Sequence, residues 1–341
     1  FGGLLGGDDA PRPEVVQVGA VPLLDDVSDQ EREVVESSLE LRKAGATVYE
    51  GHAAKNIEGA DIIVRSSAIS DENIEVITAR SRGIPVQKRS DFLNSLLREY
   101  RVLAVAGSHG KTTTSTMLAW TLEEMGLQPG FILGGVSKNL GTNARAGGGR
   151  HFVVEADEYD YMFLGLEPAV ILLTNVEYDH PDCFPTHEDY FGAFSAFVKN
   201  LKPGGILVTN GDQLVAASMA AEKPHNTKAL TYGLTDTVDI AARDLTVNPA
   251  GGMSFTIHAP VNSAPLAKLD LQVPGEHNVR NALGVMAVHS ALGNDLHKAA
   301  TALSTYIGSG RRFEIVGEVN GITVLDDTAH DPSKIRATLS A

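Results

Sequence analysis

The stretch VLAVAGSHGKTTTSTM, residues 102–117, is where the fold of this chain becomes readable. The apolar, partly β-branched run 102–106 predicts a buried strand. It breaks at Gly107 and turns through Ser108, His109 and Gly110. A helix follows, expected from Thr112 to about Met125 with Gly126 as its stop. A strand, a glycine loop and a helix in that order present backbone N–H groups and a helix N-terminus to a polyphosphate. Lys111 can reach the outer phosphates, and the Thr112 hydroxyl can ligate Mg2+. The general P-loop pattern has Gly where this chain has Val105. The competing reading is an ordinary strand–turn–helix link with a solvated lysine, but packing gives no reason for Gly-Lys-Thr-Thr-Thr behind an apolar strand.

Outward from this stretch, 341 residues suggest two or three domains, and the hydrophobic content of 43% fits cores of ordinary size. The net charge of −15, without lysine or arginine clusters, argues against nucleic acid or an anionic membrane as the main partner. Small anionic ligands remain compatible, because loops and Mg2+ bind them locally. The single cysteine, Cys183, allows no intrachain disulfide framework and points to a reducing, cytoplasmic setting. No signal peptide is evident, and no apolar run is long enough to span a bilayer.

Before the central strand the pattern alternates at short spacing. A helix is expected at 31–44, with Val34, Val35, Leu39 and Leu41 apolar, and strands at 46–49, 60–65 and 84–87. Helices are expected at 73–82 and 90–97. This is the signature of a small, Rossmann-like parallel α/β domain, whose ligand belongs at the carboxyl ends of its strands, where Ser66 and Ser67 fall. After the central helix, 134–150 reads as a glycine-rich loop. Strands are expected at 152–156, 169–174, 206–210, 230–232, 240–244, 253–258 and 268–273, and helices at 186–200 and 278–292. The class is α/β: a small N-terminal domain (1–99), a central P-loop ATPase-like domain with a mostly parallel sheet (100–308), and the start of a third Rossmann-like α/β domain (309–341). One strand at 321–325 and one helix at 333–339 cannot close a core, so that third domain is expected to be incomplete here.

Two apolar strands end in groups suited to a divalent ion: Glu155 after Phe-Val-Val, and His180 a few residues after Ala-Val-Ile-Leu-Leu-Thr. In a parallel sheet these ends converge on the crevice that holds the phosphate loop. Each is also explicable alone, as a solvated strand end and a turn histidine. The run Pro274–Ala282, PGEHNVRNA, opens a helix. Asn278 either caps it or, with His277, faces a nucleotide base. Asp326–His330, DDTAH, is either an acidic strand end or a polar contact to ribose or phosphate. Cys183 has no matched base and receives no catalytic role.

The motifs GSHGKTTT (107–114), EADEYD (155–160), TNVEYDHPD (174–182), PGEHNVRNA (274–282), RRF (311–313) and DDTAHDP (326–332) together resemble the Mur ligase family, the ATP-dependent amide-forming ligases of peptidoglycan synthesis. Their order and spacing cover roughly residues 60–341. SSAISDENIEVITARSRGIPV (66–86) and EADEYD point to the alanine-adding branch. The resemblance implies ATP and Mg2+ as cofactors, and UDP-N-acetylmuramate and L-alanine as substrates. It implies an ATP site of Gly107, Ser108, His109, Gly110, Lys111, Thr112, Thr113, Asn175, His277, Asn278, Arg312 and Asp327. It makes Thr112 and Glu155 ligands of one Mg2+ and His180 of a second. Lys111, His180 and His330 become catalytic residues, and Ser66 and Ser67 contact the UDP sugar. The chain departs from the family at residues 1–20, which lack the glycine fingerprint, and at Ser108, Thr328 and Asp331, where the family has Thr, Tyr and His. No Ala-Lys pair for a carbamylated lysine occurs near 191–197, as suits the alanine-adding branch.

Two other readings are weighed. A sister ligase that attaches a recycled tripeptide to the same nucleotide sugar shares most of the motifs. A P-loop switch or motor ATPase would share the loop but leave His277, Asn278 and Arg311–Phe313 unexplained. Because family members close a third domain over the site, residues 1–341 are expected to bind nucleotide without forming amide.

Overall fold

The computed structural model describes residues 41–43, 45–66, 69–259, 264–329 and 332–341. The glycine-rich residues 1–20 lie outside that set, as does the helix expected at 31–44, except for a helical 41–43. The chain divides into two compact units, Phe1–Arg98 with Ala144–Ala146, and Glu99–Asn143 with Gly147–Ala341.

In the first unit, β1 (Ile63–Arg65) pairs in parallel with β2 (Val86–Lys88), Ile63 opposite Val86. Between them runs α1 (Ile74–Ser81), and after them α2 (Arg89–Leu96). The Asn73 side chain caps α1 by accepting the Glu75 N–H at 2.9 Å. Ile57, Val76, Ala79 and Leu93 form the small core. The strand expected at 46–49 is reduced to one bridged residue, Val48, because Gly45 and Gly51 turn the chain on either side at φ +91° and +70°. The strand expected from residue 60 starts only at Ile63, after the turn at Gly59.

The second unit is built on β3 (Arg101–Ala106) and α3 (Lys111–Glu124). Five of the six β3 residues are buried, as a strand covered on both faces requires. Then come β4 (Gly130–Ile132), the two-residue β5 (Ala144–Arg145) that groups with the first unit, β6 (His151–Glu155), β7 (Val170–Leu173), α4 (His187–Lys199), β8 (Ile206–Asn210), α5 (Leu214–Ser218) and β9 (Lys228–Gly233). After these follow β10 (Ile240–Val247), β11 (Met253–His258), β12 (Ala267–Asp270), α6 (Glu276–Leu292) and α7 (Leu296–Leu303). The strands lie in the order β12-β11-β10-β9-β8-β7-β3-β6-β4. Every neighbour from β4 to β10 pairs in parallel, and β10, β11 and β12 are antiparallel. A mostly parallel sheet is therefore present as expected, with a meander at one edge.

The register fixes the site. Val105 lies opposite both Glu155 on β6 and Leu172 on β7, so the carboxyl ends of the three strands finish together. Helix α3 is buried on most of its surface, and two of its threonines meet neighbouring side chains, whereas Thr114 Oγ1 is buried without a hydrogen-bond partner. Thr116 Oγ1 lies 2.7 Å from Tyr306 Oη, and Thr121 Oγ1 lies 2.8 Å from His289 Nε2 on α6. Thr186 and Asp189 form a capping box at the start of α4.

The region after Gly308 departs from expectation. Residues 314–319 are themselves a strand, β13 (Glu314–Val319), paired antiparallel with β14 (Ile322–Asp326), and α8 (Pro332–Leu339) follows. Ile315, Val319 and Ile322 are each more than 60% exposed. Helices α5 and α7 and strand β4 have no counterpart in the sequence reading; they are short, at 5, 8 and 3 residues.

Candidate functional site

Two glycines set the loop between β3 and α3. Gly107 has φ +137°, and a Cβ there would fall 2.1 Å from Thr174 Oγ1. Gly110 has φ +80°, and a Cβ there would fall 2.7 Å from Asn281 Oδ1 on α6. Only glycine fits both positions. The loop between them is pinned by the end of β7. Asn175 Oδ1 accepts from His109 N at 2.9 Å, Asn175 Nδ2 donates to His109 O at 3.0 Å, and Thr174 Oγ1 donates to the same carbonyl at 2.6 Å. No side chain caps α3, whose N-cap is Gly110. Its first N–H groups are thus left to a ligand, with the positive end of the helix behind them. His109 Nδ1 is buried without a hydrogen-bond partner.

Lys111 turns to an acid that sequence reading had not placed in the site. Its Nζ donates to Glu158 Oε1 and Oε2 at 2.9 and 2.7 Å, and to Gly107 O at 2.7 Å. Glu158 is fully buried. Its Oε1 also accepts from Tyr190 Oη at 3.3 Å and lies 3.7 Å from His180 Nε2. Tyr190 Oη lies 2.8 Å from Ser108 Oγ, which donates to Glu177 O at 2.7 Å. Burial beside the Glu158 carboxylate pushes the Tyr190 phenol well above its ordinary range. His180 itself sits at φ +57°, held in a turn that continues to Phe184.

Glu155 lies on the other side of the loop. Its carboxylate accepts from Thr112 Oγ1 at 3.0 Å, Gly134 N at 2.7 Å and Ser115 Oγ at 3.3 Å. A Cβ on Gly134 would come within 2.3 Å of Oε1, so Gly134 is part of the carboxylate's cradle. Burial pushes the Glu155 carboxyl upward, against the opposing pull of Lys111, Gly134 and Thr112. Thr112 and Glu155 are therefore together, whereas His180 faces Glu158 and Asp179. Among the described residues no group of three or more His, Cys, Asp or Glu side chains is arranged to hold a metal ion.

These groups open into a cleft of about 870 Å3, which Thr113 also lines. Its far wall is the start of α6, with His277, Asn278 and Asn281 beside Asn210 and Tyr232. Asn278 is not a cap: it lies inside α6, and its Nδ2 donates back to Pro274 O at 2.7 Å. Burial lowers the pKa of His277, against the opposing field of Asp327. Arg312 enters the cleft and reaches Thr112 Oγ1 at 3.5 Å. Asp327 accepts from Phe313 N and Ala329 N at 2.8 and 2.7 Å, tying the loop before β13 to the end of β14. Ser66 lies just past β1 in the first unit, and Ser67 and His330 lie outside the described residues. The sequence reading missed Glu158, Tyr190 and Asn281 as site residues. Glu158 and Asn281 stand in motifs already singled out, while Tyr190 reads only as one of the core aromatics of α4.

Comparison with known proteins agrees with this picture. Residues 105–289 match the Mur ligase middle domain, and residues 29–101 match the Mur ligase family, catalytic domain. The chain belongs to the Mur ligase family, as its motifs indicated. A curated relative, the UDP-N-acetylmuramate–L-alanine ligase of Acidithiobacillus ferrooxidans, is 42% identical over 308 residues, 89% of this chain. The chain spans 66% of that relative's length, just under two thirds. The crystal structure of the UDP-N-acetylmuramate–alanine ligase MurC from Thermotoga maritima superposes with TM-score 0.76 and 29% identity, over 89% of this chain and 68% of that one. The UDP-N-acetylmuramate:L-alanyl-gamma-D-glutamyl-meso-diaminopimelate ligase from Neisseria meningitides gives TM-score 0.74 and 27% identity, over 87% and 99%.

Proposed function

We propose that this chain serves an ATP-dependent ligase that joins L-alanine to UDP-N-acetylmuramate in the cytoplasm. The carboxylate of the sugar's lactyl group would be phosphorylated, then attacked by the amine of L-alanine with loss of phosphate. The observation that carries the reading is the cleft itself. It gathers Lys111, Glu155, His180, His277 and Arg312, from five separate motifs, around one uncapped helix N-terminus. The choice of amine rests on relatives such as the 42% identical alanine ligase.

In this reading the loop Gly107–Thr113 and the N-terminus of α3 cradle the β- and γ-phosphates, and Lys111 and Arg312 balance their charge. Asn175 holds the loop in shape. His277 and Asn278 face the base, His277 as a neutral imidazole because burial disfavours its charged form. Asp327 would contact the nucleotide, and His330, outside the described residues, would act near the acyl phosphate or the incoming amino acid. Thr112 and Glu155 offer oxygen donors in contact, the set a small hard cation prefers, so they fit Mg2+, with His180 at a second position. When bound, Mg2+ supplies charge neutralisation on phosphate oxygens. Ser66 and Ser67 would contact the UDP moiety from a domain over 1–99; a central domain would span 100–308 and a third would begin at 309.

The decisive assay measures phosphate release with UDP-N-acetylmuramate, ATP and Mg2+, offering either L-alanine or the tripeptide L-alanyl-γ-D-glutamyl-meso-diaminopimelate to the full-length ligase rather than to residues 1–341 alone. Turnover with L-alanine is expected. Turnover only with tripeptide would establish the sister activity, and ATP hydrolysis indifferent to both amines and to the sugar would remove ligation altogether.

A further inference from the structure

Lys111, the one lysine of the phosphate loop, is already neutralised by a carboxylate within the protein. Glu158 sits just beyond β6, fully buried, and both its oxygens lie within 2.9 Å of Lys111 Nζ. A buried carboxylate is costly unless it is paired and hydrogen-bonded. Here the pairing is shared between Lys111, the Tyr190 hydroxyl at 3.3 Å and the edge of His180 at 3.7 Å.

The Tyr190 hydroxyl has one proton and two acceptors in reach, Glu158 Oε1 and Ser108 Oγ. The Ser108 proton is committed to Glu177 O, while Glu177 N donates back to Ser108 Oγ at 2.8 Å. The network therefore ties the loop residue before His109 to the same carboxylate that ties down the loop lysine. Lys111 is held by Gly107 O at the start of the loop and by Glu158 from beyond β6.

We propose that Glu158, supported by Tyr190, is a positioning residue that clasps the phosphate-loop lysine, competing with a bound nucleotide for the Lys111 charge. An ammonium that shares its protons with a carboxylate gives less of its charge to phosphate than a free one. Nucleotide binding must draw Lys111 at least partly off Glu158, leaving Tyr190 and His180 as that carboxylate's cover. The clasp weakens ground-state binding of ATP and keeps Lys111 at the loop for the transferring phosphoryl group, where charge stabilisation accelerates the reaction. This inference rests on the nucleotide reading of the cleft.

The test is equilibrium binding of ATP, with and without Mg2+, to the wild-type chain and to Glu158→Gln and Tyr190→Phe. Glutamine keeps the shape and one acceptor while removing the charge. The expected result is an ATP Kd about fivefold lower for Glu158→Gln, and, in the ligation assay, a fall in kcat with a fall in KM. Tyr190→Phe leaves the charge in place and is expected to lower Tm with little change in Kd. A merely structural Glu158 would give the reverse, with Glu158→Gln lowering Tm and leaving Kd unchanged or higher. That outcome overturns the clasp. Glu158→Asp, which keeps the charge but withdraws it by one methylene, covers the case in which the glutamine variant does not fold. Its Kd must also fall below wild type, and an unchanged or higher value overturns the clasp. Failure of the wild-type chain to bind ATP would instead overturn the nucleotide reading, so the two failures are distinguishable.

Discussion

Two segments of the second unit share one local plan and end in opposite environments. Strand β3, the Gly107–Gly110 loop and α3 make a strand–polar loop–helix sequence, and β14 is likewise followed by the polar Asp327 and Thr328 and then, from Pro332, by α8. Leu103 on β3 is 1% exposed, whereas Ile322 on β14 is 67% exposed. Both strands are apolar, so composition does not separate them. The difference lies in what each is laid against. β3 has β6 and β7 on its flanks, while β14 has β13 as its strand partner. An apolar run becomes a core only when a second layer removes it from water, and a loop becomes a rigid site only when the strands beside it are held in register.

That contrast can be tested by breaking each segment in turn. Leu103→Ala should cost about 3 kcal/mol, because it removes buried contact and leaves a cavity that a parallel sheet cannot collapse. Chemical denaturation with an unchanged m-value would check it. Acidification comes next. His289, fully buried and bonded to Thr121 of α3, has its pKa lowered to about 4, chiefly by burial and secondarily by the field of His151. The unfolded chain binds that proton near the ordinary value of 6.5 and the folded chain does not, so stability is full above pH 6.5 and is lost as pH falls toward 4. Between pH 7 and 5 the loss from this residue is about 2 kcal/mol. Thermal melts across that range should show the slope, and His289→Gln should flatten it.

A smaller effect is expected in the loop. Gly110→Ala meets both a left-handed φ and Asn281 Oδ1, so it should lower stability by about 1–2 kcal/mol and weaken nucleotide binding more than the loss of stability alone explains. Ile322→Ala closes the series, with a change within about 0.5 kcal/mol, since the side chain is already in water. A large loss there would mean that β14 is covered in solution, and the contrast between the two segments would fall.

Much of this was legible in the sequence because the physics was local. Glycines at 107 and 110 announce backbone that other residues cannot adopt, and the apolar runs at 102–106, 152–156 and 169–174 announce strands buried on both faces. The ends of those runs put Glu155 and His180 at the carboxyl edge of a parallel sheet. Asn278 was the ambiguous case. Its position near a helix start suggested a cap, but α6 begins earlier, at Glu276 after Gly275 at φ +90°. The role of Glu158 was not legible, because four acids stand within 155–160 and their order does not tell Glu158, which turns to Lys111, from Glu155, which turns to Thr112. Tyr190 carried no signal either: a tyrosine on the buried face of an amphipathic helix looks the same whether its hydroxyl meets water or a carboxylate.

The central claim is that the β3–α3 loop holds a nucleotide's phosphates through Lys111. The most direct measurement is calorimetric titration of ATP and Mg2+ into the wild-type chain and into the double variant Lys111→Met/Glu158→Gln. That variant removes both members of the buried pair and so avoids leaving Glu158 unpaired. With folding verified by a cooperative melt, the account predicts saturable binding to the wild type and a Kd raised by about two orders of magnitude or more in the variant. Equal affinity in the two proteins would contradict it.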